Sequence, residues 1–368
     1  MRVALLCDSP DEHWPSMDIV GDMLEQYLPP EIEREQVLRP IRPVTPNVSV
    51  NRIWLRFVDY PRWVRRNRSR FDVFHITDHS YSQLAHELPG DRTVITCHDI
   101  DTFRSVLEPE RDPRPLAFRL MTKRILTGFQ RAAHVACDSA ATRDDLAKHS
   151  VMPLERMSVV PLGFHPSCSP EPNVVADAKA SELLGLPGDH VDLLHVGSTI
   201  ARKRIEDLLQ IFYAARQHFP ALRLLRVGGA FTDNQQKLER NLGLVPHIVV
   251  LPFIDRRTLA AIYRRAALVL LPSDAEGFGL PVAEAMACGT PVLASDLAVL
   301  REVGGEAAAY APPCSISEWT AALLNLLAEQ TANPPAWQAR RNRGFEQARA
   351  FSWTNYSNCM ANVYNGLL

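Results

Sequence analysis

Residues Leu268 to Ser295 read LVLLPSDAEGFGLPVAEAMACGTPVLAS, and this stretch decides the fold. Leu268–Leu271 is an unbroken apolar run, the pattern of a strand buried on both faces in a parallel sheet. A loop follows that holds Glu276, Gly277, Phe278 and Gly279. Pro281 suits a first helical turn and Gly289 the position past a helix end, so a helix is expected from Pro281 to about Cys288. Strand, glycine loop and helix N-terminus in succession make an anion seat suited to a diphosphate. Glu276 lies on the loop, and Glu284, eight residues later, is expected in the first helical turn. Two carboxylates at one strand mouth repel unless a group rich in donors, such as a sugar's hydroxyls, lies between them. Singly, Glu284 is explained as an offset to the helix dipole and Glu276 as a solvated loop acid. The glycines beside them permit close backbone approach and favour binding for the pair.

The same alternation of apolar runs and amphipathic segments extends on both sides. Expected strands are Arg2–Leu6, Asp72–Ile76, Thr93–Cys97, His134–Cys137 and Ser158–Pro161 in the first half. Asp192–Val196, Arg223–Val227, His247–Leu251, Ala267–Leu271, Pro291–Ala294 and Ala308–Tyr310 follow in the second, with helices such as Ile205–His218 and Arg257–Arg265 between them. Parallel strands need crossover helices, so the chain reads as α/β with two doubly wound domains. Residues 1–165 form the first, a Pro- and Ser-rich linker spans 166–188, 189–350 form the second, and 351–368 a final helix.

Ligands of such sheets bind at the carboxyl ends of strands, so residues just after strands carry weight. HVGSTIARKRIEDLL, from His195, places Gly197 and Ser198 at a strand end, with Arg202, Lys203 and Arg204 before a helix. Cations there neutralise a leaving diphosphate without a metal. VITCHDIDTFR puts His98 and Asp99 at another strand end, and FHITDHSYSQL puts Asp78 and His79 one strand earlier, where they are expected to shape the acceptor side. Asp99-Ile100-Asp101 forms a D-x-D, a tripeptide common by chance, and no metal is expected. Gly277-x-Gly279 opens a dinucleotide-like pattern, but its sixth position is Val282. NRIWLRFVDYPRWVRRNRSR holds seven arginines and one acid between Arg52 and Arg70, interleaved with Trp54, Phe57, Tyr60 and Trp63. It reads either as a solvated helix face with its aromatics in the core, or as a contact for an anionic membrane surface or lipid-linked phosphate.

EGFGLPVAE followed by AMACGTPVLAS resembles the E-x7-E signature of the group 1 retaining glycosyltransferases of the GT-B fold. The segment from Gly197 resembles that family's phosphate loop, with Ser198 where arginine is frequent, and the likeness extends over about residues 90 to 350. The glycine-rich loop usual after the first strand is replaced by DSPDEHWPSMDIVGDML, with Ser16 and Met17 expected to open the first helix. The resemblance implies two Rossmann-like domains facing across a cleft, with the final helix crossing back to the first. It also implies a metal-independent enzyme, without cofactor, moving a hexose-type sugar from a nucleotide-diphosphate sugar to a glycan, lipid-linked or small-molecule acceptor. Glu284 would hold the ribose and Glu276 the sugar, with His98 near that sugar. The amides of Phe278, Gly279 and Leu280 would meet sugar and diphosphate, and Gly197, Ser198, Arg202 and Lys203 the phosphates. Sugar-nucleotide epimerases and glycan phosphorylases share this architecture and are the alternatives.

The 368 residues suffice for two cores, and 46% hydrophobic with 22% charged residues is ordinary for a soluble enzyme. A net charge of −2 gives no reason to expect nucleic-acid binding. Seven cysteines stand singly, without a C-x-x-C pair, which reads as reduced intracellular thiols. The start, MRVALLCDSPDEHW, lacks the apolar core of a signal peptide, so a cytoplasmic location is expected, with peripheral membrane contact through Arg52–Arg70.

Overall fold

The computed structural model describes residues 1–12, 15–185 and 188–368. The chain divides into two compact units, Met1–Gly163 with Ser352–Leu368, and Phe164–Phe351. In the first, β1 (Arg2–Leu6), β2 (Glu33–Val37), β3 (Val73–Ile76), β4 (Thr93–Cys97), β5 (His134–Cys137) and β6 (Met157–Val159) form one parallel sheet in the order β2-β1-β3-β4-β5-β6. In the second, β7 (Val191–Val196), β8 (Leu222–Val227), β9 (Ile248–Leu251), β10 (Leu268–Leu271), β11 (Val292–Ser295) and β12 (Ala309–Ala311) are parallel in the order β12-β11-β10-β7-β8-β9. Strand order reverses beside β1 in one sheet and beside β7 in the other, and those switch points are where doubly wound sheets take ligands.

Central strands such as β3, β4 and β10 are buried along their whole length, which is why they show as apolar runs. β2 was not expected from sequence. It is an edge strand reading EREQV, paired only with β1, and its charged residues suit an edge that must resist further pairing. The stretch expected as linker contains a helix, Val174–Leu184, capped by the Asn173 side chain on the Ala176 amide. Arg264 bonds Asp177 at 2.5 Å and Lys179 bonds Asp255 at 2.6 Å, so this helix packs into the second unit. Leu186 and Pro187, in the same stretch, lie outside the described residues. Helix starts elsewhere follow side-chain caps, including Asp255 on Thr258 and the Thr232–Gln235 capping box. Among the described residues no helix is long and apolar enough to cross a membrane. All seven cysteines are free thiols, and five of them are buried.

The last helix, Trp353–Asn365, belongs to the first unit and is tied to its sheet by a buried polar chain. Tyr364 Oη shares a 2.7 Å hydrogen bond with His75 Nδ1, His75 Nε2 lies 2.8 Å from Thr96 Oγ1, and Tyr356 Oη is 3.1 Å from the same hydroxyl. Burial pushes His75 down to about 3, so the folded protein keeps it neutral while the unfolded chain takes a proton near 6.5. A depressed histidine contributes stability that is present above the unfolded value and lost as pH falls below it. About 2 kcal/mol should disappear between pH 6.5 and pH 5. Urea midpoints across that range, compared with those of His75→Gln, test this. Equal slopes in the two proteins would contradict it.

Candidate active site

In the second unit the loop after β7 turns at Gly197 and passes through a short 3-10 turn, Ala201–Lys203, before the helix Ile205–His218. Arg204 takes a left-handed conformation, φ 51°, which costs a non-glycine residue about 1 to 2 kcal/mol and marks the turn as constrained. The loop after β10 returns beside it, with the Asp274 amide donating to the Arg202 carbonyl at 2.9 Å. Gly279 caps the helix Leu280–Ala287 at φ 94°, a left-handed conformation that favours glycine, and a Cβ there would also have to displace Leu300 Cδ2, 2.5 Å away. The helix begins one residue earlier than expected, and Glu284 is its fifth residue rather than a member of its first turn. Its first N–H groups have no partner within the helix.

These loops bring Glu276, Arg202 and Lys203 into one cluster. Lys203 Nζ lies 2.5 Å from Glu276 Oε1, and Arg202 Nη1 lies 3.1 Å from Oε2. Ser273 Oγ donates to Oε1 at 2.6 Å, and Arg202 also donates to the Ala275 carbonyl at 2.9 Å. Burial works against the Glu276 charge, but Lys203 and then Arg202 outweigh it and hold the carboxyl below its usual range. The family resemblance implies a sugar contact for the glutamate and phosphate contacts for the cations. Here they pair with one another.

Glu284 sits in different surroundings. It is 5% exposed and accepts from Tyr263 Oη at 2.9 Å. Burial pushes its carboxyl up, against the opposing pull of Arg256 and the Tyr263 bond. Phe278 is buried edge-on against Phe351, with ring centres 5.5 Å apart, and Leu280 is half-buried. Gly197, Ser198 and Lys203 share one turn, and a Cβ at Gly197 would lie 3.5 Å from Lys203 Cε.

The first unit gathers its own polar group at the carboxyl ends of β1, β3, β4 and β5. His98 is buried, with Nδ1 2.6 Å from Asp138 Oδ2 and Nε2 2.9 Å from the Thr77 carbonyl. Burial opposes its charge, but Asp138 and then Asp78 outweigh burial and hold His98 up to about 10. Its ring is therefore a cation at neutral pH with both nitrogens committed to protein atoms. A ring contact to sugar requires one of those bonds to break. Asp78 accepts from the Ser80 amide at 2.7 Å and caps the turn His79–Glu87. Burial and then Asp78 push the nearby Asp8 carboxyl well up. Asp101 pairs with Arg104 at 2.7 Å. Among the described residues no group of three or more His, Cys, Asp or Glu side chains is arranged to hold a metal ion.

The segment from Arg52 to Arg70 forms a helix Val48–Trp54, a π-turn Leu55–Asp59 and a helix Tyr60–Asn67. Tyr60 is buried, and Phe57 and Trp63 pack against the core. Arg56 points inward, paired with Glu12 at 2.9 Å and stacked 4.1 Å from the Tyr81 ring centre. Arg65 pairs with Glu87 and Arg70 with Glu35. Arg52, Arg62, Arg66 and Arg68 stay exposed beside Ile53 and Trp54. Tyr263, Ser273 and Asp138 escaped the sequence reading. A tyrosine on an amphipathic helix looks like core, and nothing local separates the serine or the aspartate from ordinary turn residues.

Two parallel doubly wound units, the second with the Gly197–Lys203 loop at its switch point, define a two-domain α/β protein of the GT-B fold. Residues 190–329 match the family described as Glycosyl transferases group 1, and residues 18–167 match Glycosyltransferase Family 4. D-inositol 3-phosphate glycosyltransferase of Xylanimonas cellulosilytica is 32% identical over 323 residues, which cover 81% of this chain and 73% of that protein. Sucrose-phosphate synthase of Thermosynechococcus elongatus superposes with a TM-score of 0.77 at 22% identity, over 100% of this chain and 99% of that one. Anabaena HepE, solved in complex with UDP-glucose, gives 0.77 at 16% identity over the whole of both chains. The chain belongs to the group 1 glycosyltransferases and is a glycosyltransferase enzyme.

Proposed function

We propose that the second unit binds a nucleotide-diphosphate sugar, and that the enzyme passes a hexose-type sugar to its acceptor with retained configuration and without a metal ion. The carrying observation is the cluster of Arg202, Lys203 and Glu276 packed against Gly197. Glu276 holds these two cations at the loop after β7, where they can stabilise the charge of a leaving diphosphate. The ribose hydroxyls bond Glu284, the sugar hydroxyls bond Glu276, and the amides of Phe278, Gly279 and Leu280 meet the sugar and phosphates. Gly197 and Ser198 let the phosphates approach the backbone. The family resemblance gives His98 a place near the sugar, where it would act through its charge. Retention rests on the resemblance of EGFGLPVAE to retaining members of the family.

Turnover should therefore survive EDTA. Loss of activity that manganese restores would instead make Asp99 and Asp101 metal ligands. Thermal-shift measurements with UDP-, GDP- and ADP-sugars identify the donor, because a ligand that binds only the folded state raises the melting temperature.

The acceptor belongs to the first unit. A lipid-linked acceptor or an anionic membrane surface suits the exposed Arg52, Arg62, Arg66 and Arg68 beside Ile53 and Trp54. Arg62→Ala with Arg66→Ala should reduce flotation with phosphatidylglycerol vesicles at low salt and leave nucleotide binding unchanged. Absence of vesicle binding by the native protein at low salt would remove the membrane contact.

A further inference from the structure

Arg226 lies on β8, inside the second unit, and is fully buried. A guanidinium in such a place normally faces a carboxylate, because an uncompensated buried charge is costly. Its neighbour Arg223 does so, bonded to Asp192 through two nitrogens at 2.7 and 2.9 Å. Among the described residues Arg226 forms no ion pair. Its partners are two backbone carbonyls, Gly197 at 2.8 Å from Nη2 and Gly229 at 3.0 Å from Nη1, and its Nε has none. The Phe231 ring lies 5.6 Å from the guanidinium carbon.

Those two carbonyls stand at the carboxyl ends of neighbouring strands, β7 and β8. No peptide bond among the described residues is cis, and in a trans peptide the C=O and the following N–H point in opposite directions. Holding the Gly197 carbonyl toward the guanidinium therefore turns the Ser198 N–H away from it. Holding the Gly229 carbonyl does the same for the Ala230 N–H. Neither amide donates to any described residue. The approach is tight: a Cβ at Gly228 would lie 2.0 Å from the Gly197 oxygen, so that residue must be glycine. His195, two residues before Gly197, is fully buried with neither ring nitrogen bonded. Burial, Arg226 and Lys203 keep it neutral, so it adds no charge of its own.

We infer that Arg226 is a positioning residue for the phosphates of the nucleotide, fixing the peptides after β7 and β8 so that the Ser198 and Ala230 amides face a diphosphate, with an unneutralised cation behind them. The inference rests on the donor assignment made above. Arg202 and Lys203 already share Glu276, whereas the charge of Arg226 is offset only by carbonyl dipoles and remains available to a bound dianion.

Calorimetric titration of the wild type, Arg226→Met, Arg226→Lys and Lys203→Ala tests it. The probes are inorganic pyrophosphate and the nucleosides and nucleoside diphosphates of uracil, guanine and adenine. Arg226→Met should lose roughly 10- to 100-fold in diphosphate affinity and keep nucleoside affinity within about 2-fold. Arg226→Lys, which keeps the charge on a single nitrogen, should lose less and rescue part of the effect, and it carries the test where Arg226→Met fails to fold. Equal losses for nucleoside and diphosphate would reveal a merely structural role and overturn the inference. Wild-type diphosphate affinity in both Arg226 variants, with Lys203→Ala weakened, would overturn it and leave the donor assignment standing. Failure of the wild type to bind any of the diphosphates would overturn both.

Discussion

Lys203→Ala is expected to lower turnover of the donor by roughly 10²- to 10³-fold, the size of effect seen when one preorganised stabiliser of developing charge is removed. The Lys203 side chain is nearly buried, and its Nζ lies 2.5 Å from Glu276 Oε1, so the lost cation is not replaced by solvent. The deletion also acts on what remains. Burial opposes the charge of Glu276, and Lys203 is the larger of the two cationic influences that overcome burial. Without it the carboxyl takes up a proton at higher pH than in the native protein. Residual activity of the variant should therefore fall on acidification from pH 8 to pH 5 over a range where the native enzyme stays flat. Rate profiles for both proteins at saturating donor measure this, and turnover like that of the native protein would remove the cluster from the chemistry.

The two glutamates should fail in opposite directions. Glu284→Ala removes a buried acceptor and should weaken nucleoside diphosphate binding by about 1 to 3 kcal/mol, because the ribose hydroxyls and the Tyr263 hydroxyl lose their shared partner. Glu276→Gln removes the anion that pairs with Arg202 and Lys203. Arg202 and Lys203 then lose this carboxylate, and the product diphosphate should bind several-fold more tightly while turnover falls. Tighter product binding would not follow if Glu276 met only the sugar. Calorimetry on each variant beside its turnover separates these outcomes, and equal losses of nucleotide affinity in both would contradict the assignment.

Much of the architecture was legible because parallel strands buried on both faces leave unmistakable apolar runs. LVLLP before the glycine loop and VITC before His98 are examples, matched by β10 and β4. The edge strand β2 was not legible, since EREQV has neither apolar continuity nor alternation, and only its place beside β1 makes it a strand. The helix in the expected linker was hidden by the surrounding prolines, and it is held by ion pairs to residues about 80 positions away. Within the site, sequence supplied the residues but not their pairing. Nothing in the spacing of Arg202, Lys203 and Glu276 says that they pair with one another. Arg226 is the clearest case, because LRLLRV gives two arginines alike in sequence, one paired with Asp192 and the other holding carbonyls in the interior.

The central claim, that the second unit holds a nucleotide-diphosphate sugar through its preformed cations and Glu284, is tested most directly by an experimental structure with the tightest-binding nucleoside diphosphate. The account predicts phosphate oxygens on Arg202, Lys203 and the amides at the start of the helix Leu280–Ala287, with the ribose on Glu284 and no metal ion between the phosphates and the protein. A diphosphate bound elsewhere in the chain, or bound here only through a metal ion with Lys203 still closed on Glu276, would contradict it.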